Sequence, residues 1–191
     1  MLMDSEHIDP FAYSDCRIKL VQDDWELREA HALRHEVFVV EQGIFHLSDH
    51  DLFDNSAYTI IASIGMLGIP DAVVGTVRIH EQEPGIWIGS RLAVQKSFRA
   101  DKGLGKALIQ MAVCSALAFG CKAFYANVQP QNLGLFKKLG WQALGKVTVH
   151  GIEHVFMQAG LQASSETYDP FCGRVHLINQ AQWKSRNMEH A

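Results

Sequence analysis

Residues 86–109 read IWIGSRLAVQKSFRADKGLGKALI, and the order of elements within them decides the fold. Ile86, Ile88, Leu92 and Val94 are apolar and suited to a buried strand. Residues 97–102 are polar and of mixed charge, as a surface loop should be. Gly103-Leu104-Gly105 then opens a helix that runs through Ala107, Leu108, Met111, Ala112 and Leu117. A helix start leaves N–H groups unpaired and carries partial positive charge, so it suits a phosphate. Glycine lets the backbone approach such a ligand without a Cβ in the way. Strand, loop and two glycines recur in many α/β proteins, so this pattern alone does not define a phosphate site.

The whole chain sets the bounds around that stretch. Its 191 residues are enough for one domain with a sizeable core. Hydrophobic residues make up 48% and charged ones 20%, the balance of a soluble globular protein. A net charge of −4 argues against general nucleic-acid affinity. No apolar run reaches the roughly 18 residues a membrane helix needs. The opening MLMDSEHIDPF is acidic and lacks the apolar centre of a secretory signal. Cys16, Cys114, Cys121 and Cys172 show no CxxC spacing and read as thiols of a cytoplasmic protein. The histidines are scattered, with no metal-ligand motif.

Working outward, residues 1–15 read as a leader, with Phe11 and Tyr13 available to dock it. Residues 16–21 alternate as a strand. Asp23 or Asp24 caps a helix whose apolar stripe is Trp25, Leu27, Ala30, Leu33, Val37 and Phe38. The apolar VFVVEQGIF then gives way to the acidic HLSDHDLFDNS. Asp51 and Asp54 share one side of a helical turn, as capping aspartates of a solvated turn or as part of a substrate site. Residues 58–64, 71–80 and 86–94 form three successive strands. After the glycine-led helix, Gly120 is a stop, 122–129 is a strand and 132–139 a short helix ended by Gly140. Residues 141–149 and 154–159 close as a hairpin. Residues 161–191 lack a β pattern and read as a tail, with a helix near Leu177 to Trp183.

LAV, an arginine-bearing loop and GLGKALI together resemble the acyl-CoA-binding motif of the GNAT acyltransferase superfamily. The element order over roughly residues 16–160, taken with two helices between the first and second strands, is similar to that family's. So is NLGLFKKLGW at 132–141, where an asparagine precedes a helix ending in Gly-aromatic. The resemblance implies an α/β (α+β) fold, a mostly antiparallel mixed sheet flanked by helices and splayed between its fourth and fifth strands. It assigns the backbone of Leu92, Ala93 and Val94 to the pantetheine arm. It assigns Arg99, Ala100, Lys102, Gly103, Leu104, Gly105 and Lys106 to the pyrophosphate, and Asn132 and Phe136 to the arm near the thioester. The family places Arg or Gln three residues before the first glycine. Here Ala100 holds that place and Arg99 lies one earlier. Either the loop carries an extra residue or the arginine is used differently.

The substrate side resembles the acyl-homoserine-lactone synthase branch of the same fold. Arg34 and Phe38, then Asp51 and Asp54, then Arg78, then Ser90-Arg91 carry that likeness. VFVVEQ also occurs in small bacterial acetyltransferases. The implied function is acyl-CoA-dependent N-acylation, with acetyl-CoA as co-substrate, no metal, and a small amine or amino-acid-like acceptor. A lactone-synthase-like reaction and a CoA-binding regulatory module are the alternatives. No nucleic-acid or membrane partner is implied, and a homodimer stays open. The chemistry needs a polarised acyl carbonyl, which a backbone N–H near Val94 supplies. It also needs a base for the amine; Glu81, Glu83 and Glu41 are the candidates. The tyrosine that in many family members protonates the leaving thiolate is replaced here by Phe136, four residues before Gly140.

Overall fold

The apolar alternation read above builds one eight-stranded sheet in the order β6-β7-β5-β4-β3-β2-β1-β8. The computed structural model describes residues 15–66, 69–99, 101–161 and 169–177. In chain order these give β1 (Asp15–Leu20), α1 (Asp24–His35), β2 (Tyr58–Met66), β3 (Ile69–Glu83), β4 (Ile86–Val94), α2 (Lys102–Ala118), β5 (Ala123–Val128), α3 (Leu133–Lys138), β6 (Gln142–Val149), β7 (Ile152–Gln158) and β8 (Arg174–Leu177). Only β4 and β5 are parallel; every other pair is antiparallel. The α/β class, the mixed sheet and its flanking helices are as the family likeness implies.

α1 and α2 pack on opposite faces of the sheet, each over an apolar cluster, and Phe136 of α3 joins the cluster under α2. On one face α2 buries Leu104, Leu108 and Met111 against Ile60, Val77, Phe124 and Met157. A Cβ on Gly75 of β3 would stand 2.8 Å from Leu108 Cδ1, so glycine there lets the helix lie close to the sheet. The helix ends as expected at Gly120, whose φ of +87° lets its N–H reach Leu117 O while Cys121 N–H reaches Ala116 O. On the other face α1 buries Ala30 and Leu33, continued by Val37 and Phe38, against Ile61, Val73 and Ala93.

Two readings differ from this architecture. The family order places a second helix between α1 and β2. Instead Glu36–Glu41 continues α1 as a π-helical turn, and only Leu52–Asn55 forms a further, 3₁₀ turn. Between them Asp49 and Asp51 bond to arginine side chains, and the His50 N–H donates to Ser48 Oγ. Residues 174–177, read as tail, form β8 on the outer edge of β1, with Asp15 opposite Leu177 and Ile18 opposite Arg174. Four residues are too short for a β pattern to stand out in a sequence. Residues 1–14, with Phe11 and Tyr13, and the expected helix beyond Leu177 lie outside the described residues.

Candidate active site

Parallel pairing of β4 with β5 runs only from Ile86 opposite Ala123 to Gly89 opposite Ala126. Beyond Gly89 the two strands part, as the family likeness implies. The cause lies in β4 itself. Against β3, Arg78 faces Ser90 but Thr76 faces Ala93, so β4 holds one extra residue there. This is a β-bulge, and Arg91 takes the left-handed conformation, φ +54°. That conformation costs a non-glycine residue roughly 1 kcal/mol or more, so something must hold Arg91 in place.

Three arginines and three aspartates do so. Arg91 Nε donates to Asp49 Oδ2 and to Asp49 O, both at 3.1 Å, and its Nη2 donates to Asp51 Oδ2 at 3.1 Å. Arg34, fully buried on α1, reaches Asp49 Oδ2 through Nε at 2.7 Å and Asp54 through both terminal nitrogens at 2.6 and 3.1 Å. Arg78 on β3 makes a two-toothed contact to Asp51, 2.6 and 2.9 Å, and donates from Nε to Ser90 at 3.0 Å. Fork-on-carboxylate geometry of this kind is the strong form of the ion pair. Burial alone would raise the Asp54 carboxyl, but hydrogen bonds from Arg34, the Asp51 N–H and Arg78 hold it well below the usual carboxylate range. Asp51 is shifted the same way, with burial opposed by Arg78 and Arg91. Burial, aided by Arg78, lowers the buried His80 imidazole.

The structure thus brings together five residues predicted for the substrate side: Arg34, Asp51, Asp54, Arg78 and Arg91. The aspartates do act as caps, though of a turn tied to buried arginines rather than a merely solvated one. Asp51 caps the 3₁₀ turn by accepting Phe53 N–H at 3.0 Å, and Asp54 accepts Asp51 N–H at 2.9 Å, while both pair with arginines. Asp49 is the member that sequence reasoning missed. It is 1% exposed and ties Arg34 to Arg91. Its signal was the spacing of three aspartates in SDHDLFDN, in a stretch too polar to look buried.

A cavity of about 190 Å³ opens where β4 and β5 part. Ser90, Arg91 and Leu92 line one wall, and Ala126, Asn127 and Gln129 line the other. Phe38 and Phe45 cover it from the segment after α1, and His150 and His154 from the β6–β7 hairpin. Phe45 joins the two sides: Arg91 stacks on it at 4.6 Å, and the His150 ring meets it edge-on at 4.7 Å. Deeper in, the walls are Ile109, Phe124, Phe136 and Trp141.

Of the residues predicted for the cofactor, Leu92, Asn132 and Phe136 line this cavity. The edges of β4 and β5 that face each other past Gly89 lack a strand partner there, so an amide-bearing chain can pair with them. Asn132 and Phe136 line the cavity, with Phe136 against Trp141 at 4.9 Å. Leu92 also lines it, whereas Ala93 and the side chain of Leu104 belong to the core. Val94 packs on the α2 side. Gly105 has open space beside it, its nearest neighbour being Leu135 Cδ2 at 3.8 Å from an added Cβ. Gly103 differs. Its N–H is taken by the capping carboxylate of Asp101 at 2.9 Å, and a Cβ there would meet the His176 ring from β8 at 2.7 Å. Lys106 is exposed; Ala100 and the side chain of Lys102 lie outside the described residues. The displaced Arg99 donates to Val94 O at 2.8 Å and pairs with Glu41 at 2.7 Å.

The three carboxylates read as bases are not at the cavity. Glu41 is engaged by Arg99. Glu81 accepts Gly85 N–H at 2.7 Å and so caps the β3–β4 turn, while Glu83 is exposed in that hairpin. The turn stands at the start of β4, five residues and about 16 Å of strand from the bulge. Tyr125 of β5 stacks on Phe156 at 5.2 Å and does not line the cavity. Among the described residues no group of three or more His, Cys, Asp or Glu is placed to hold a metal ion, and no helix is long and apolar enough to cross a membrane.

Comparison with known proteins agrees with this geometry. The sequence profile of the Acetyltransferase (GNAT) family matches residues 17–141. YjcF of Bacillus subtilis, named as an uncharacterised N-acetyltransferase, is 27% identical over 142 residues, 74% of this chain and 91% of that protein. The structure of an N-acetyltransferase from Lactobacillus plantarum superposes with TM-score 0.67 at 22% identity, covering 75% of this chain and 97% of that one. BjaI, a CoA-dependent acyl-homoserine lactone synthase solved with SAM and isopentyl-CoA, superposes with TM-score 0.61 at 16% identity, covering 91% of this chain and 89% of its own. The chain belongs to the acetyltransferase (GNAT) family. It is an acyltransferase enzyme of the fold that takes acyl-CoA as co-substrate.

Proposed function

We propose that the protein transfers an acyl group, acetyl foremost, from acyl-CoA to the amine of a small-molecule or amino-acid-like acceptor by direct attack. The observation that carries this reading is the bulge at Arg91, which parts β4 from β5 and leaves a cavity at their fork. The pantetheine arm would pair with the open strand edges, and the pyrophosphate would lie at the α2 N-terminus, where Gly105 leaves room. The acyl carbon would then stand near the bulge, where backbone N–H groups polarise its carbonyl. The amine nitrogen forms the new N–C bond, the C–S bond breaks, and the thiolate leaves with a proton from solvent or from the amine. The acceptor would enter beneath Phe38 and Phe45.

Arg34, Asp51, Asp54 and Arg78 satisfy one another, so their part in acceptor binding is to hold this wall rather than to touch the acceptor. Phe38 and Arg91, which line the cavity, are the members of that set placed for contact.

The test is CoA release from acetyl-CoA, followed by thiol titration with a panel of amines and amino acids. Release that depends on one amine class, with the N-acetyl product seen by mass spectrometry, supports the reading. Tight CoA binding without release from any amine would leave a CoA-binding regulatory module. The lactone-synthase alternative is favoured by the arginine–aspartate cluster. It predicts a lactone product from S-adenosylmethionine and acyl-CoA in the same mass analysis.

Phe136→Tyr tests the missing acid. Phe136 is buried against Trp141 and lines the cavity, so the substitution adds a hydroxyl to that wall. Turnover is expected to change by less than about tenfold, or about 1.4 kcal/mol. A far larger gain would show that the natural enzyme lacks an acid it needs.

A further inference from the structure

We propose that His154 is the general base of this acyl transfer, accepting at Nε2 the proton that the acceptor amine gives up. The proposal rests on the acyl-transfer reading above. Among the described residues that line the cavity, the side chains that titrate are Arg91, His150 and His154; carboxylates, tyrosines and thiols are absent from that set. Arg91 is a cation held by Asp49 and Asp51 and has no lone pair to offer. His150 is exposed at the tip of the β6–β7 turn, its ring against Phe45. His154 is 7% exposed, part of a strand, and part of the cavity wall.

Its hydrogen bond decides what the ring does. His154 Nδ1 lies 2.9 Å from Ile152 O. A carbonyl only accepts, so Nδ1 carries the hydrogen and the lone pair of the neutral ring sits on Nε2. A histidine oriented by a backbone carbonyl in this way is prepared to take one proton at its other nitrogen. The strand register places it at the fork. The last β5–β7 pair is Val128 opposite Val155, and His154 stands one residue beyond, where β5 has already left β4. Across the cavity is the Ser90–Leu92 bulge.

The step balances without a further reactant. The amine nitrogen bonds to the acyl carbon, its surplus proton passes to Nε2, and the C–S bond breaks. The imidazolium then gives its proton to the departing thiolate or to solvent. This supplies a route for the proton that Phe136 cannot carry. The charged and titratable side chains that share the cavity lining with His154 are Arg91 from β4 and His150 from the hairpin turn. On its own hairpin Lys146 and Glu153 pair with each other at 3.2 Å on the exposed side, and β5 contributes Tyr125, stacked on Phe156.

The test uses the full chain, acetyl-CoA and whichever amine of the panel gives the fastest CoA release. His154→Asn keeps an amide N–H where Nδ1–H stands, so the contact to Ile152 O survives, but it takes no proton near neutral pH. His154→Gln, with its amide where Nε2 stands, is the second variant should Asn fail to fold. The expected result is a fall in kcat/KM for the amine of about 10²- to 10⁴-fold. The acidic limb of the wild-type pH–rate profile is expected to disappear, with CoA affinity by calorimetry within about threefold. A folded variant that keeps its rate, or that slows but retains the same acidic limb, overturns the assignment. If wild type releases CoA with none of the amines, the acyl-transfer reading fails first, and this proposal with it.

Discussion

Gly105→Glu is expected to weaken CoA binding at least about a hundredfold, roughly 2.7 kcal/mol, while the protein stays folded. The room for the side chain exists, since an added Cβ would meet only Leu135 Cδ2, at an ordinary 3.8 Å. Replacing glycine within a helix removes a propensity penalty of about 1 kcal/mol, and a carboxylate near a helix N-terminus is favoured by the dipole. Stability should therefore hold or rise slightly. The same carboxylate takes the space and the positive end that the pyrophosphate needs, and repels it. Gly105→Ala separates the two effects, because it adds bulk without charge and should lose far less. Titration calorimetry with CoA, beside a thermal melt, reads both. Undiminished affinity in a folded Gly105→Glu would sink the placement of the pyrophosphate at α2.

Arg34→Ala carries the largest expected cost in stability. Removing one partner of a buried ion pair leaves the others uncompensated, typically worth about 3–5 kcal/mol. Arg34 and Asp49 are 0% and 1% exposed, and Asp54 also relies on this guanidinium. The pH dependence gives the claim a second readout. Asp51 and Asp54 have folded-state pKa values below their unfolded ones. Their stabilisation is therefore fully present above the unfolded carboxylate pKa of about 3.9, and is lost as pH falls through the folded values. In Arg34→Ala the depression of Asp54 is relieved, so the gap between variant and wild type should be widest near neutral pH and close on acidification below about pH 4. Urea midpoints at several pH values measure it. A variant within about 1 kcal/mol of wild type at neutral pH would mean the cluster is not a structural brace. Loss of the brace also frees Arg91, so the bulge should relax and acyl transfer should fall even where the chain stays folded.

The strand, loop and helix on which the cofactor reading rests could be read from the chain because their signal is local. A strand, a loop and a glycine-led helix follow one another within 24 residues, and α2 begins beside Gly103 as that order predicts. The splay needed no more than the family likeness, and the bulge at Arg91 gives its physical cause. The arginine–aspartate cluster was half readable. Arg34, Asp51, Asp54, Arg78 and Arg91 are each conspicuous, but a sequence does not say whether charges face a ligand or one another. Their partners lie 15 to 42 residues apart, and only the packing of α1 and the following loop over β3 and β4 closes the network. The carboxylates named as candidate bases lie off the cavity for a related reason. Glu81 and Glu83 are near β4 in sequence, yet an antiparallel hairpin turns at one end of its strands, and this one turns at the end away from the fork. His154 is remote in sequence from Arg91. It reaches the cavity because β7 pairs with β5 and β5 with β4, so a side chain two strands away closes over the gap that the bulge opens.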